Sequence, residues 1–239
     1  MSTLVLIPGL VSDRRAWEKV EQILIELGHR VEVAQFPQAS SITEMARAVL
    51  DLTDQPLIPV GHSMGGRVAM EVARLAPQRV VALVLVATGA HPLAPGESEK
   101  REAVIELANE QGIQALCDQW LPPMLAPGIR TVRPEFYAVL EKMVLAAGAE
   151  VHERQIRALI ARPDAQELLK TLGVATLFVA GEHDSWSTPA QHQAMAELVA
   201  NAEVAEVKGA GHFLQVEQPE EFSQILTNWL QRHSLAGCV

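Results

Sequence analysis

The sequence predicts an α/β fold in which a mostly parallel, twisted sheet of about six strands carries helices on both faces. Short β-branched runs alternate with amphipathic helical patterns along much of the chain of 239 residues. Most of these runs are apolar at every position, which is typical of parallel strands that are covered on both faces. The alternation stops between about residues 91 and 172, where prolines accumulate and no run resembles a strand.

Six runs are strand candidates: Thr3–Ile7, Arg30–Ala34, Leu57–Val60, Val80–Ala87, Ala175–Ala180 and Ala202–Val207. Helical patterns separate them. Val20 and Leu24 mark one helical face, which Gly28 is placed to end. Ser41 lies at capping-box spacing from Glu44 at the start of another helix. This alternation builds βαβ units and one parallel sheet.

The interruption divides the chain into two predicted parts. Residues 1–90 and 173–239 are expected to form the α/β core, and residues 91–172 a helical cap. Within the cap, Glu97–Asn109 and Glu150–Ala161 have helical patterns. A long helical crossover would explain the insertion, but a lid over one end of the sheet is the preferred interpretation, because an insertion of this length needs packing of its own.

Composition argues against several classes of protein. Apolar residues make up 49% and charged residues 20%, the balance of a globular protein. The formal net charge of −10 argues against nucleic acid and anionic membranes as partners. Without a membrane span or a signal peptide, a cytoplasmic location is expected. Cys117 and Cys238 form neither a disulfide framework nor a metal motif. The sequence does not distinguish a monomer from a homodimer.

The stretch Gly61-His62-Ser63-Met64-Gly65 places a serine between two glycines where a buried strand is followed by a helix. A tight strand-to-helix turn holds such a serine in a strained backbone conformation and leaves no room for side chains two residues away. The strain lifts the hydroxyl clear of the sheet, and the helix points its positive end at the site. A nucleophile is therefore preferred over an ordinary turn.

A nucleophilic serine needs a base and a group that orients the base. In an open parallel sheet, reacting groups lie beyond the carboxyl ends of strands. Gly181–Asp184 follows the fifth strand candidate, and Lys208–Phe213 follows the sixth. These loops supply an acid and a histidine in the chain order serine, aspartate, histidine.

The motifs GHSMGG, GEHD and GAGHF make the sequence similar to the α/β-hydrolase fold family, in the branch with a serine nucleophile and a helical cap. The resemblance extends over nearly the whole chain. It implies that Ser63 is the nucleophile, Asp184 the orienting acid and His212 the base of a catalytic triad.

The resemblance also implies an oxyanion hole, formed by the N–H of Met64, directly after the nucleophile, and the N–H of Leu10, in the loop after the first strand. Pro8 stands where members of the family usually carry a histidine. Side chains near the predicted site are candidates for substrate contact. They are His91, Trp120, Trp186 and Phe213.

The other histidines are given structural or solvent-exposed positions. His62 is expected to pack beside the turn, and His183 to point away from the acid's partner. The remaining four, which lie in helical or terminal polar context, are expected to be solvated: His29, His152, His192 and His233. No histidine pair has zinc-helix spacing and no glycine-rich phosphate motif follows a strand, so neither a metal nor a cofactor is expected.

These features predict a serine hydrolase that cleaves a small, largely apolar carboxylic ester through an acyl-enzyme. A lactonase or thioesterase with the same triad is the near alternative. A C–C bond lyase or hydrolase, or a non-hydrolytic receptor for a small ligand, would use the same scaffold and stays open. A dehalogenase or epoxide hydrolase is disfavoured, because those enzymes need a carboxylate in place of Ser63.

Overall fold

The structure is a computed structural model that describes residues 2–235; Cys238 lies outside the described residues. Its strands are β1 (Thr3–Ile7), β2 (Val31–Val33), β3 (Leu57–His62), β4 (Ala82–Val86), β5 (Ala175–Gly181) and β6 (Ala202–Val207). They form one sheet in the order β2-β1-β3-β4-β5-β6, and every neighbouring pair is parallel. Each predicted run corresponds to one strand, and the predicted fold class is confirmed.

Both faces of the sheet are buried, which explains why its strands are apolar throughout. Along β1, Leu4 and Leu6 belong to one hydrophobic core, whereas Val5 and Ile7 belong to the other. Side chains alternate between the faces of a strand, so a strand that is covered on both sides needs apolar residues at every position.

The helices of the two ends of the chain are α1 (Glu18–Glu26), α2 (Ile42–Leu50), α3 (Met64–Leu75), α9 (Pro189–Ala196), α10 (Leu214–Glu217) and α11 (Pro219–Arg232). Helices α1 and α11 cover one face of the sheet through side chains such as Leu24 and Trp229. Helices α2, α3 and α9 cover the other through side chains such as Met45, Val68 and Met195. The chain is thus a three-layer α/β/α structure.

Between β4 and β5 lie α4 (Glu97–Gln111), α5 (Ile113–Trp120), α6 (Ile129–Val132), α7 (Pro134–Ile160) and α8 (Gln166–Thr171). Helix α7 is kinked at Gly148, whose φ of 76° is left-handed. Residues 91–172 contain no strand. Buried side chains of α7, including Leu140 and Met143, belong to the same core cluster as α2 and α3. This helical segment is therefore packed onto the rest of the molecule.

Within residues 2–235, no helix combines the length and the apolar character that crossing a membrane requires.

Candidate active site

The turn between β3 and α3 holds Ser63 in a strained conformation, with φ 54° and ψ −115°. The Ser63 N–H donates to the Val86 carbonyl at 2.9 Å, which ties the turn to the end of β4. A Cβ at Gly61 would lie 2.2 Å from the Gly65 carbonyl oxygen, and a Cβ at Gly65 would lie 2.2 Å from the Ile7 carbonyl oxygen. Both distances are too short for real atoms, so the two glycines allow the turn to form.

Three side chains from the carboxyl ends of three strands form a hydrogen-bonded series. His212 Nε2 lies 2.9 Å from Ser63 Oγ, and His212 Nδ1 lies 2.8 Å from Asp184 Oδ2. Asp184 Oδ1 accepts hydrogen bonds from the N–H groups of Trp186 and Ser187. Burial alone would raise the pKa of the Asp184 carboxyl, but His212 and these N–H groups outweigh it and hold that pKa below its ordinary value. Asp184 is therefore a carboxylate that favours a proton on Nδ1.

The loop that carries His212 is attached to the helical segment between β4 and β5. The His212 N–H donates to the Met124 carbonyl at 2.7 Å. The buried Glu217 carboxylate accepts from the Ala126 N–H at 2.8 Å and from the Gly211 N–H at 3.1 Å. Glu217 thus joins the segment to the residue before the histidine. No sequence pattern identifies Glu217 as part of the site, although it closely follows the GAGHF motif.

The expected donors of the oxyanion hole, Leu10 and Met64, line one cavity with Ser63 and His212. Met64 is the first residue of α3, so its N–H has no partner within the helix. The Leu10 N–H has no acceptor among residues 2–235. The next N–H, of Val11, donates to Gln155 Oε1 of α7 at 2.7 Å.

Val11 has a left-handed φ of 45°, which is strained for a β-branched residue. Gln155 therefore secures the loop from which Leu10 projects its N–H. No local sequence pattern indicates the role of Gln155, because its partner lies 144 residues away.

The cavity above Ser63 has a volume of about 430 Å³. Its apolar wall includes Leu10, Val104, Trp120, Met124, Ile156 and Leu159, and its polar wall includes Arg67, His91, Glu97, Lys100, Arg101, His152 and Arg162. Trp186 and Ser187 also line it. Three of the side chains expected to contact substrate, His91, Trp120 and Trp186, are therefore at the cavity.

Phe213 is not at the cavity, contrary to the sequence-based expectation. Its side chain is 1% exposed, and its ring packs edge-on against the rings of His212 and Trp120. The residue follows His212 directly, and its side chain turns into the core where it also meets His62. Phe213 therefore packs against the His212 ring from within the core.

His62 packs beside the turn, as expected, and its Nε2 lies 2.9 Å from the His212 carbonyl oxygen. Its ring also lies against Trp17. Burial lowers the pKa of His62 to about 3. His183 is exposed, and its Nε2 lies 4.0 Å from Glu182 Oε2.

The expectation that His152 and His192 are solvated is wrong. His192 is buried, and its Nε2 accepts from the Thr88 N–H at 3.2 Å. His152 is buried on the wall of the cavity, where burial lowers its pKa to about 4. His152, Ile156 and Leu159 recur at helical spacing, and this pattern places the histidine on the buried face of α7.

Within residues 2–235, no cluster of three or more His, Cys, Asp or Glu side chains is arranged to hold a metal ion.

Comparisons with known proteins identify relatives of this chain. The chain is 29% identical over 232 residues to the dihydrolipoyllysine-residue acetyltransferase component of the acetoin cleaving system of Pseudomonas putida, a match that covers 95% of this chain and 59% of that protein. The chain thus spans about three fifths of that relative's length. It is 27% identical over 195 residues to 3-oxoadipate enol-lactonase 2 of Acinetobacter baylyi, covering 80% of this chain and 71% of that protein.

A thermophilic esterase from Thermogutta terrifontis, solved with malate bound, has a similar structure. Its TM-score is 0.91 at 26% sequence identity, and the match covers 99% of this chain and 91% of that chain. Residues 4–225 match the model of the alpha/beta hydrolase family. The match extends over nearly the whole sequence, and the chain therefore belongs to the alpha/beta hydrolase family.

Proposed function

We propose that the chain is a serine hydrolase that cleaves small carboxylic esters through an acyl-enzyme. The observation that carries this proposal is the continuous series of hydrogen bonds from Asp184 through His212 to Ser63, at the wall of a cavity. The names of the relatives, an esterase and an enol-lactonase, support hydrolysis as the reaction type.

The first step is attack by Ser63 Oγ on the acyl carbonyl. With the His212 proton on Nδ1, Nε2 is free to accept the proton from Oγ as the new bond forms. Asp184 then stabilises the imidazolium through Nδ1–H. The N–H groups of Leu10 and Met64 stabilise the negative charge that develops on the carbonyl oxygen.

The second step releases the alcohol and then the acid. Nε2–H of His212 protonates the leaving oxygen as the ester bond breaks, which leaves the acyl group on Ser63. A water molecule enters, gives a proton to Nε2 and attacks the acyl carbon. Collapse of this intermediate frees the carboxylic acid and returns the proton to Ser63 Oγ.

We assign residues 91–172 as a lid over the active site. Trp120 and Met124 of this segment, together with His91 at its start, line the same cavity as Ser63. Trp186 joins them from the acid loop. The apolar part of the wall suits a short acyl or small aromatic group, and the volume of the cavity limits its size.

A lactone is the second candidate substrate. It is favoured by the match to an enol-lactonase over 80% of the chain. The same attack on a ring carbonyl opens the ring, and both products stay joined until water releases the acyl group. A thioester requires no change in the roles of the residues.

The test is a panel of p-nitrophenyl esters, thioesters and lactones with the wild-type protein, Ser63→Ala and Ser185→Ala. Ser185 is an exposed serine of the acid loop and serves as the matched control. We expect turnover of at least one class, a loss of several orders of magnitude in kcat for Ser63→Ala, and no loss for Ser185→Ala. Turnover that persists in Ser63→Ala would contradict the mechanism. Binding of these compounds with no turnover would indicate a receptor.

A further inference from the structure

The cavity is positively charged although the chain is acidic. Its wall contains the cationic residues Arg67, Lys100, Arg101 and Arg162 and one carboxylate, Glu97. The whole chain, in contrast, has a formal net charge of −10. A concentration of cations in a cleft of an acidic protein attracts small anions into that cleft.

Arg67 is one of two buried cations of the cavity, and unlike Arg162 it has no carboxylate partner among residues 2–235. It follows Ser63 by four residues, about one helical turn along α3. The residue is 7% exposed, and its Nη1 donates to the His91 carbonyl at 2.7 Å. No carboxylate oxygen lies within 4.0 Å of its guanidinium among residues 2–235. Burial, together with the charge of Arg162, lowers the pKa of Arg67.

The acidic residue of the cavity already forms ion pairs with two other cations. Glu97 Oε2 accepts from Arg162 Nη2 at 2.8 Å, and Glu97 Oε1 accepts from Arg101 Nε at 2.8 Å. These contacts hold the pKa of Glu97 at about 2 despite its partial burial. Asp164 has the smallest effect among the charged groups that shift the pKa of Arg67. The charge of Arg67 is therefore offset only in part, by carboxylates that form no direct ion pair with it.

Space is left beside the Arg67 guanidinium. Gly89 lines the cavity, and a Cβ at this position would lie 3.5 Å from Arg67 Nη2 and 2.9 Å from the His91 ring. Any side chain at position 89 would fill the room in front of Nη2. Buried arginines are normally paired, because an isolated buried cation is costly.

We propose that this end of the cavity binds a carboxylate of the substrate, so that the preferred ester or lactone carries a free carboxylate a few carbons from the scissile carbonyl. This assignment rests on the proposed function of Ser63. The planar guanidinium of Arg67 matches the geometry of a carboxylate. Lys100 adds positive charge at the more exposed side of the same wall.

The test compares two esters that differ in one charge. Mono-p-nitrophenyl glutarate carries a carboxylate, and its methyl ester is a neutral analogue of the same chain length. After subtraction of the spontaneous rate, we expect wild-type kcat/KM to favour the anion by about tenfold or more, mainly through KM. Sodium chloride should reduce this preference, since part of the site is exposed. A wild-type ratio of one or below overturns the inference.

Variants locate the preference in the cavity. Arg67→Met keeps an apolar stem and removes the charge, and should lower the ratio about tenfold. Lys100→Gln changes an exposed side chain, folds without loss of a buried contact and should lower the ratio about two- to threefold. Arg157→Gln is the matched control: Arg157 is exposed on α7, pairs with Glu102 and does not line the cavity. If Arg157→Gln lowers the ratio as much as Arg67→Met does, the preference comes from the electrostatic field of the whole protein and not from the cavity.

Binding separates this inference from the proposed function. Monomethyl glutarate should raise the Tm of the wild-type protein, and more than it raises that of Arg67→Met. Dimethyl glutarate should do neither. If the wild-type protein hydrolyses neither ester, the proposed function fails. The rise in Tm with monomethyl glutarate then decides by itself whether the carboxylate site exists. Stabilisation by inorganic phosphate without stabilisation by monomethyl glutarate would contradict a carboxylate as the ligand.

Discussion

Glu217 is a buried carboxylate whose removal should weaken both the fold and catalysis. It is 1% exposed. Its two oxygens accept from the N–H groups of Ala126 and Gly211, which belong to the helical segment and to the histidine loop. Burial raises the pKa of Glu217, and its backbone donors offset only part of that effect. Its side chain therefore keeps two distant parts of the chain in contact.

The magnitude follows from the number of donors that Glu217 serves. Glu217→Leu leaves two buried N–H groups without an acceptor, and each costs about 1–3 kcal/mol. We expect the free energy of unfolding to fall by about 2–6 kcal/mol, and by about half of that for Glu217→Gln, which keeps one acceptor oxygen. Because Gly211 precedes His212, kcat should fall by more than KM rises.

Urea unfolding followed by tryptophan fluorescence measures the stability, and turnover of p-nitrophenyl butyrate measures the catalytic effect. Glu220→Gln is the matched control, since Glu220 is exposed on α11. Its free energy of unfolding should stay within about 0.5 kcal/mol of wild type. A Glu217→Leu protein as stable and as active as this control would refute the reasoning.

Three further predictions concern acid stability, the oxyanion loop and substrate size. Burial lowers the pKa of His62 to about 3 and of His152 to about 4. In the unfolded chain these histidines take up protons near pH 6.5. Each histidine should therefore reduce the free energy of unfolding by up to about 1.4 kcal/mol per pH unit as the pH falls from about 6.5 towards its folded pKa. Equal urea midpoints at about pH 7 and pH 5 would contradict this. Gln155→Leu removes the acceptor of the Val11 N–H and should lower kcat about 10- to 100-fold with little change in KM, whereas Gln155→Glu, which keeps an acceptor, should restore most of it. Among p-nitrophenyl esters, kcat/KM should peak at roughly two to six acyl carbons, with up to about 0.8 kcal/mol gained per methylene until the lid obstructs the chain; maximal activity at about twelve carbons or more, with interfacial activation, would indicate an open groove instead.

The sheet was accessible from the sequence because burial on both faces leaves a local signal. Thr3–Ile7 and Ala202–Val207 form strands with the predicted bounds. The predicted run Leu57–Val60 continues to His62 in the structure. Gly61 still pairs with Ile7 in the ladder, although glycine carries no apolar side chain to indicate burial. Hydrophobicity thus locates strands better than it locates their ends.

The site could be predicted only in part, because only local patterns are visible in a sequence. The turn of Ser63 requires glycines at fixed local positions, and this requirement is visible in the sequence. Gln155 and Glu217 bond to groups 144 and 91 residues away, so no local pattern identifies them. Arg67 and His152 are polar residues on helices, where solvent exposure is the usual state. Their burial depends on how α3 and the helical segment between β4 and β5 enclose the cavity.

The most direct test of the central claim is covalent labelling of the nucleophile. A fluorophosphonate attacked by Ser63 should add one adduct to the wild-type protein, visible in the intact mass, and peptide mapping should place it on Ser63. Labelling should be absent in Ser63→Ala and much slower in His212→Gln, because the hydroxyl then lacks its base. Ser63→Ala that is labelled stoichiometrically, or a wild-type adduct on another residue, would contradict the assignment of Ser63 as the nucleophile.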